Sequence, residues 1–583
     1  MTRRMALCAL LAAAAATFGG CQRAAFSGPL RLLDLPTIED RLARVGSLTA
    51  AGETRPALLE PARWRVRLPE RGLLTLGAGV AWAGEGEAPG WFQLEVTAGG
   101  RVLAERKLNP RALHGFRDLS LPLDGLSGET ELGFELRLTD REGRDTPAPP
   151  GLLLGLADPV VHDLAAYGRA KGVVLVSIDT LRRDHVGAYG YPKPTTPRLD
   201  ALAREGMLAE DAVSVSSWTL PSHLSLLTSV DPGVHGGTDM RHGFNRRVKT
   251  LPATLRERGF ATQAVTSHLY VSGTYGLDDG FDHLDFRQDR KATEVADRAI
   301  DLLDRVGDRP FFLFLHFYDP HWHYDPPEAQ RRIFEQDYSG TLTGLWQDFK
   351  DRTRETTTPA ELVHLLALYD GEIRYTDDEL GRVLDHLKAR GLDAGTLVVV
   401  SSDHGEEFLD HGSWEHQKTL YEEVVRVPLV VRGPGVAPRR EPRQASLLDV
   451  APTILAWAGL PPLPGQQGQS LLSPLPERET YGETDHTTDG SHKLFLRGGA
   501  SRWKAILALR PDRPEPLSEE WFDLAKDAAE SRDQRPREAV AAAIRQRAID
   551  RWREGRARGS GAPPVTLTPE QRERLRALGY VGS

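Results

Sequence analysis

Two rhythms of apolar and polar positions divide the chain. From Trp64 onward apolar residues alternate with polar ones: Trp64, Val66 and Leu68, then Phe92, Leu94 and Val96, then Leu132, Phe134, Leu136 and Leu138. A period of two marks half-buried antiparallel strands, and Gly99-Gly100 supplies one of the turns between them. The pattern predicts a small all-β sandwich over residues 61–165. The proline-rich run Thr146–Pro150 reads as a loop within it, with a last strand near Leu152–Leu156. Trp82 and Trp91 are either core residues or a platform on which a sugar could stack.

After Gly172 the rhythm changes. Val173–Ile178, Ala261–Thr266, Phe311–Phe317 and Leu397–Ser401 are near-continuous apolar runs of strand length, separated by helix-like stretches at Arg198–Arg204, Thr293–Arg305 and Glu361–Arg390. Strands buried on both faces and alternating with helices predict an α/β domain, a mostly parallel sheet flanked by helices, over residues 170–533. In such sheets ligands bind beyond the carboxyl ends of the strands. Beyond Asp533, the residues Val540, Ile544, Ile549 and Trp552 predict an amphipathic helix with a solvated arginine face. Thr568-Pro569-Glu570-Gln571 opens a last short helix ending near Leu578-Gly579-Tyr580, so residues 534–583 form a helical tail expected to dock on the α/β domain.

At 583 residues, several domains are expected. The net charge of −9 speaks against a nucleic-acid partner, and no protein partner is inferable. Arg3 and Arg4, the apolar run Met5–Phe18 and then Gly19-Gly20-Cys21 have the layout of a signal peptide over residues 1–20, too short to span a membrane. A cysteine directly after small residues resembles the lipobox of bacterial lipoproteins. The resemblance implies an exported protein held by lipidated Cys21 on the periplasmic or cell-surface side of a bacterial membrane, with residues 21–60 as a tether; a plain secretory peptide is the alternative. Cys8 and Cys21 are the only cysteines, so the mature chain has neither a disulfide nor a cysteine nucleophile.

Three predicted strands deliver polar residues to one sheet edge: Asp179-Thr180 after the first, Asp319-Pro320-His321-Trp322-His323 after the third, and Asp403-His404-Gly405-Glu406 after the fourth. One such Asp is ordinarily a turn or helix cap. Carboxylates and imidazole from separate strands instead suit a divalent cation, and Asp179, Asp403 and His404 leave one position open. Thr219, in Ser217-Trp218-Thr219-Leu220-Pro221-Ser222-His223, heads an apolar-periodic helix whose N-terminus favours an anion. Its hydroxyl is either a helix cap or a nucleophile that fills the open position.

The run Ser177–Asp184, with Gly187-Ala188-Tyr189-Gly190 and Thr196–Ala203, resembles the opening of a sulfatase-type domain of the alkaline phosphatase superfamily. Thr219-Leu220-Pro221-Ser222-His223 is similar to that family's Ser/Cys-x-Pro-Ser-Arg, and Ser402–Glu406 to its Ser-Asp-His-Gly-Glu; Leu420–Glu423, Arg426–Leu429, Trp503-Lys504 and Phe522–Leu524 extend the likeness over residues 172–530. The resemblance implies Asp179, Asp403 and His404 as metal ligands with Thr219 as fourth ligand and nucleophile. It implies His321 and His416 as catalytic histidines, with His223, His411 and His323 as further substrate-side candidates. The departures bear on the substrate. Sulfatases convert a Cys or Ser to formylglycine, which threonine cannot yield; His223 stands where an arginine ends the motif, and Thr180 where relatives often carry a second acid. A literal Ser-x-Pro-x-Arg at Ser27–Arg31 lies in the tether and is chance. The expectation is a metal-dependent hydrolase or phosphotransferase acting on an anionic ester through Thr219, with phosphodiester or phosphonate chemistry ahead of sulfate. A sulfuric ester hydrolase, or an inactive binder of anionic ligands, is the alternative. The ligand set fits manganese or zinc first, with magnesium or calcium behind. One ion is the simpler reading; two would draft the Asp319 and His323 pair with His411 or His416.

Overall fold

The computed structural model describes residues 29–577 apart from 40–44, 51–52, 83–90, 109–116, 141–142, 166–171, 307–308, 336–337, 488–489, 500–501, 511 and 514. The signal peptide, Cys21 and the expected end of the last helix lie outside the described residues. The described residues form two compact units: one lies within residues 1–168, and the other takes residues 172–577 together with 49–50 and 53–54.

The first unit is built from two antiparallel sheets. In one, Leu152–Asp163 pairs with Glu53–Leu58, Gly72–Trp82 and the short Leu30–Arg31; in the other, Gly128–Thr139 lies between Ala62–Leu68 and Trp91–Ala98. Strict alternation along Ala62–Leu68 turns Trp64, Val66 and Leu68 inward, where Trp64 meets Phe134 edge-on at 5.5 Å. The stretch expected to be a tether is therefore corrected from Leu30 onward. Leu30–Arg31, Val45–Ala50 and Glu53–Leu58 are strands, and Leu32 and Leu58 are buried in the sandwich core. Their spacing is too irregular to show a period of two. Trp91 is half-buried with the Lys107 ammonium over its ring.

The second unit centres on a nine-stranded sheet in the order His283–Phe286, Ala261–Thr266, Phe311–Phe317, Gly172–Ile178, Thr396–Ser401, Leu429–Arg432, Met207–Val213 and Arg426–Val427, with Arg439–Ser446 beside Met207–Val213. The first five strands run parallel, and Leu429–Arg432 is antiparallel to both neighbours. The three central parallel strands are buried along their whole length, as their apolar runs require. Their register sets Ser177 beside His316 on one flank and Ser401 on the other, so all three strands end level.

A four-stranded antiparallel sheet, Glu479–Thr484, His492–Gly498, Trp503–Leu509 and Ser518–Asp523, follows. The tail helix Glu538–Gly559 packs on it through Ala541, Ile544, Ala548, Ile549 and Trp552. Val540, expected on the buried face, is instead exposed. The last helix, Pro569–Ala577, begins with a reciprocal capping pair: the Thr568 amide donates to Gln571 Oε1 at 2.9 Å and the Gln571 amide to Thr568 Oγ1 at 3.1 Å. Among the described residues no helix is long and apolar enough to cross a membrane.

Candidate active site

Asp179 follows directly on its strand and is held at the edge by a bond from its amide to the Phe317 carbonyl, 2.8 Å away. Thr180 next to it adopts φ 56°, a left-handed conformation unusual for a β-branched residue. Two bonds hold it there: its amide donates to Asp403 Oδ1 at 3.4 Å, and its carbonyl accepts from the Tyr369 hydroxyl at 2.7 Å. The Thr180 hydroxyl bonds back to the Asp179 carbonyl at 2.8 Å. At the position where an acid was a possible ligand, a threonine instead shapes the turn.

Asp179, Asp403 and His404 are brought together, fully buried, with one donor atom of each inside a 4.8 Å cluster. Each carboxylate has one oxygen engaged and one bare. Asp179 Oδ2 accepts from His316 Nε2 at 3.1 Å while Oδ1 has no hydrogen-bond partner; Asp403 Oδ1 accepts from the His404 amide at 3.0 Å while Oδ2 has none. His404 donates from Nδ1 to the Gly405 carbonyl at 2.9 Å, which makes Nε2 its lone-pair nitrogen. That lone pair lies 3.3 Å from Asp403 Oδ2 and 3.8 Å from Asp179 Oδ1. Two bare carboxylate oxygens and an imidazole lone pair facing one another repel unless a cation or protons stand between them. Burial pushes the Asp179 carboxyl up to about 6 against the opposing pull of His416 and His223, and burial together with the charge of Asp179 pushes Asp403 well above the usual carboxylate range. The donor set therefore fits a divalent metal ion.

Thr219 is the first residue of the helix Thr219–Thr228, with Trp218 as its N-cap and all ten helical residues buried. The threonine is not the cap, so its hydroxyl is released from that role and stands 3.4 Å from His404 Nε2. His223, one turn on, donates from Nδ1 to the Thr219 carbonyl at 2.8 Å, and its Nε2 accepts from the Ser177 hydroxyl at 2.9 Å. Both nitrogens of His223 are thus committed beneath the threonine rather than offered to a substrate.

His416 packs against His404 with ring centroids 4.4 Å apart and against His321 at 4.9 Å. Glu406 Oε1 lies 3.0 Å from His416 Nδ1, and Tyr324 donates to Glu406 Oε2 at 3.3 Å. His321 donates from Nδ1 to the Trp322 carbonyl at 2.9 Å and stacks on Tyr318. Burial lowers both imidazoles, His416 to about 4, so both are neutral near pH 7.

Two expected residues stand elsewhere. His411 joins Glu407 and Glu423 in a second group, 2.6 Å from Glu423 Oε1 and stacked on Tyr421. Glu423 raises it to about 9 against the cost of burial. His323 is half-buried and accepts the Trp346 amide at 2.6 Å. Sequence reasoning passed over His316, Glu406 and Tyr369. The signal for His316 was a lone imidazole in the otherwise apolar strand Phe311–Phe317.

Residues 171–460 match the sulfatase family model. The chain is 24% identical over 436 residues to an arylsulfatase of Clostridium perfringens, covering 61% of this chain and 89% of that protein. It is 30% identical over 302 residues to the N-sulphoglucosamine sulphohydrolase of Homo sapiens, covering 47% of this chain and 58% of that one. Two solved structures share the fold. One is a protein in complex with its substrate D-glucosamine-2-N,6-O-disulfate (TM-score 0.55, 22% identity, 69% of this chain and 100% of that one). The other is the phosphonate monoester hydrolase of Agrobacterium radiobacter (TM-score 0.53, 20% identity, 68% and 100%).

Proposed function

Through residues 171–460 the chain belongs to the sulfatase family, within the sulfatase/alkaline phosphatase-like superfamily, and on that premise we propose that it hydrolyses anionic esters with Thr219 as nucleophile, phosphodiesters and phosphonate esters ahead of sulfates. The observation that carries this reading is a buried threonine hydroxyl at a helix N-terminus, 3.4 Å from His404 Nε2, where the aldehyde of a sulfatase cannot be made. Asp179, Asp403, His404 and Thr219 would hold a divalent ion, manganese or zinc, which lowers the hydroxyl's pKa and stabilises charge on the transferred group. Thr219 Oγ1 forms a bond to phosphorus as the leaving oxygen departs, and the threonine's proton passes through the Nε2 of His416 or His321 to that oxygen. Water then cleaves the phosphothreonine, restoring the hydroxyl. The first-turn amides of the helix Thr219–Thr228 favour the anionic group in both steps.

Hydrolysis of a sulfate ester by the same residues is the second reading, favoured by the sulfatases among the relatives. The basic and apolar start and Cys21 support export and a lipid anchor in a bacterial membrane. The test is turnover by the metal-supplemented chain of an aryl phosphodiester, a phosphonate ester, a phosphate monoester and an aryl sulfate, beside Thr219→Ala. Phosphoester turnover abolished in the variant supports the proposal. Sulfate turnover that survives the substitution rejects Thr219, and metal binding without any turnover points to an inactive anion binder.

A further inference from the structure

His316 occupies the sixth position of a seven-residue strand whose other members are all Phe or Leu. It is fully buried, so an imidazole there costs stability unless its nitrogens are bonded; another apolar side chain would serve packing alone. Both nitrogens are bonded, and the partners fix the tautomer. The Ser267 amide donates to Nδ1 at 3.4 Å, which makes Nδ1 the acceptor and leaves the proton on Nε2. The Ser267 hydroxyl donates to the His316 carbonyl at 2.8 Å, locking the same loop to the same residue. Nε2–H then has one recipient, Asp179 Oδ2 at 3.1 Å. The imidazole is further confined by the His223 ring, edge-on at 4.9 Å, which is itself held by Thr219 and Ser177.

The consequence falls on the other oxygen of Asp179. A carboxylate can turn about its bond to Cβ and offer either oxygen or both. With Oδ2 held by His316, Oδ1 is the one turned toward His404 Nε2, and it is the oxygen without a hydrogen-bond partner. We propose that His316 is a positioning residue of the metal site: by donating from Nε2 to Asp179 Oδ2 it fixes Asp179 as a ligand through Oδ1 alone. The proposal rests on the metal site described above.

The test is metal affinity, measured by competition between the full chain and a chromophoric chelator for manganese and for zinc, in wild type, His316→Phe and His316→Gln. Phenylalanine keeps the ring and removes the N–H; glutamine restores an N–H donor at similar reach. His316→Phe is expected to lose about 10–100-fold in affinity, and His316→Gln to recover most of it. Equal affinity in wild type and His316→Phe would overturn the proposal, as would a glutamine variant as weak as the phenylalanine one. Wild-type protein that binds neither ion would reject the metal site itself. Should the phenylalanine variant fail to fold, nitrogen NMR of histidine-labelled wild type decides the matter: a proton on Nε2 of His316 is required, and a proton on Nδ1 overturns the assignment.

Discussion

At the scale of single residues the site is a set of small imbalances that one cation would relieve. Asp403 shows this most clearly, because its two oxygens have opposite surroundings. Oδ1 accepts from the amides of Thr180 and His404, while Oδ2 faces the His404 lone pair at 3.3 Å and has no hydrogen bond, His223 Nδ1 standing 3.5 Å away and donating to the Thr219 carbonyl instead. An asparagine can keep the first pair of bonds and place an amide donor where the second oxygen stood. Asp403→Asn should therefore stabilise the metal-free protein by about 1–2 kcal/mol. It should also abolish the gain that manganese or zinc gives the wild type, about 2.7 kcal/mol at a hundredfold excess over Kd. Melting curves of both proteins with chelator and with metal check both parts; a variant that still gains from the metal would remove Asp403 from the ligand set. Thr219 poses a separate question, since the hydroxyl and its methyl neighbour are both buried. Thr219→Ser keeps the nucleophile and should retain turnover within about tenfold, whereas Thr219→Ala should lose about a thousandfold or more in kcat. Equal losses in the two would mean that packing, not the hydroxyl, sets the rate.

At the scale of elements, close packing decides what apolar patterning leaves open. The tail helix Glu538–Gly559 meets Gly233 through two glycines in unequal surroundings: a Cβ on Gly559 would stand 2.0 Å from the Gly233 carbonyl oxygen, while one on Gly555 would sit at an ordinary 3.4 Å. Gly559→Ala should cost about 1–3 kcal/mol. Gly555→Ala should be neutral or slightly stabilising, because alanine is the better helix former; calorimetry of the two variants separates them. Packing on the four-stranded sheet, and not this contact, is what leaves Val540 exposed. The helix buries Ala541 and Ala548 beside its larger residues, a choice made by the surface it meets and not by its own largest side chains. Strands buried on both faces were legible, and Ala261–Thr266 and Phe311–Phe317 begin and end where their apolar runs do. Asp179, Asp403 and His404 were legible for the same reason, since parallel strands in register end at one edge. His411 was not: it lies on the irregular stretch after Phe408, and sequence distance from His404 does not say which way such a loop turns. Nor could the sequence give the left-handed turn at Thr180, which depends on Tyr369 from a helix 189 residues away. Leu30–Arg31 and Glu53–Leu58 are not legible in the sequence because their pairing partner, Leu152–Asp163, is far along the chain.

At the scale of the whole molecule, the buried acids set how stability responds to pH. Glu372, on the helix Pro359–Ala389, is fully buried and accepts the Asp325 amide at 2.9 Å through one oxygen. Burial first, and then the charge of Asp319, push its carboxyl up to about 8; Lys291 pulls the other way without cancelling them. In the unfolded chain the same group titrates near its ordinary 4.5. Between those two values the folded protein holds a proton that the unfolded chain has released, so this group favours folding fully below about pH 4.5 and loses that contribution as pH rises toward 8. Asp377, raised to about 7 by burial, acts in the same direction. Buried histidines act in the opposite sense at lower pH. His235, lowered to about 4, stays neutral in the fold while the unfolded chain takes up a proton below about 6.5, so its contribution rises with pH across that interval and is complete and constant above it. Above about pH 6.5 these acids are left unopposed by the histidines, and stability should fall toward pH 8. Glu372→Gln isolates its share: glutamine keeps an acceptor for the Asp325 amide and cannot ionise. Denaturation midpoints of wild type and variant, measured from pH 5 to 8.5 under one fixed metal condition, should diverge steadily in the variant's favour, by an amount on the order of a few kcal/mol at the alkaline end. Parallel curves would mean that Glu372 keeps its ordinary pKa in the fold, with water or Lys291 carrying its charge.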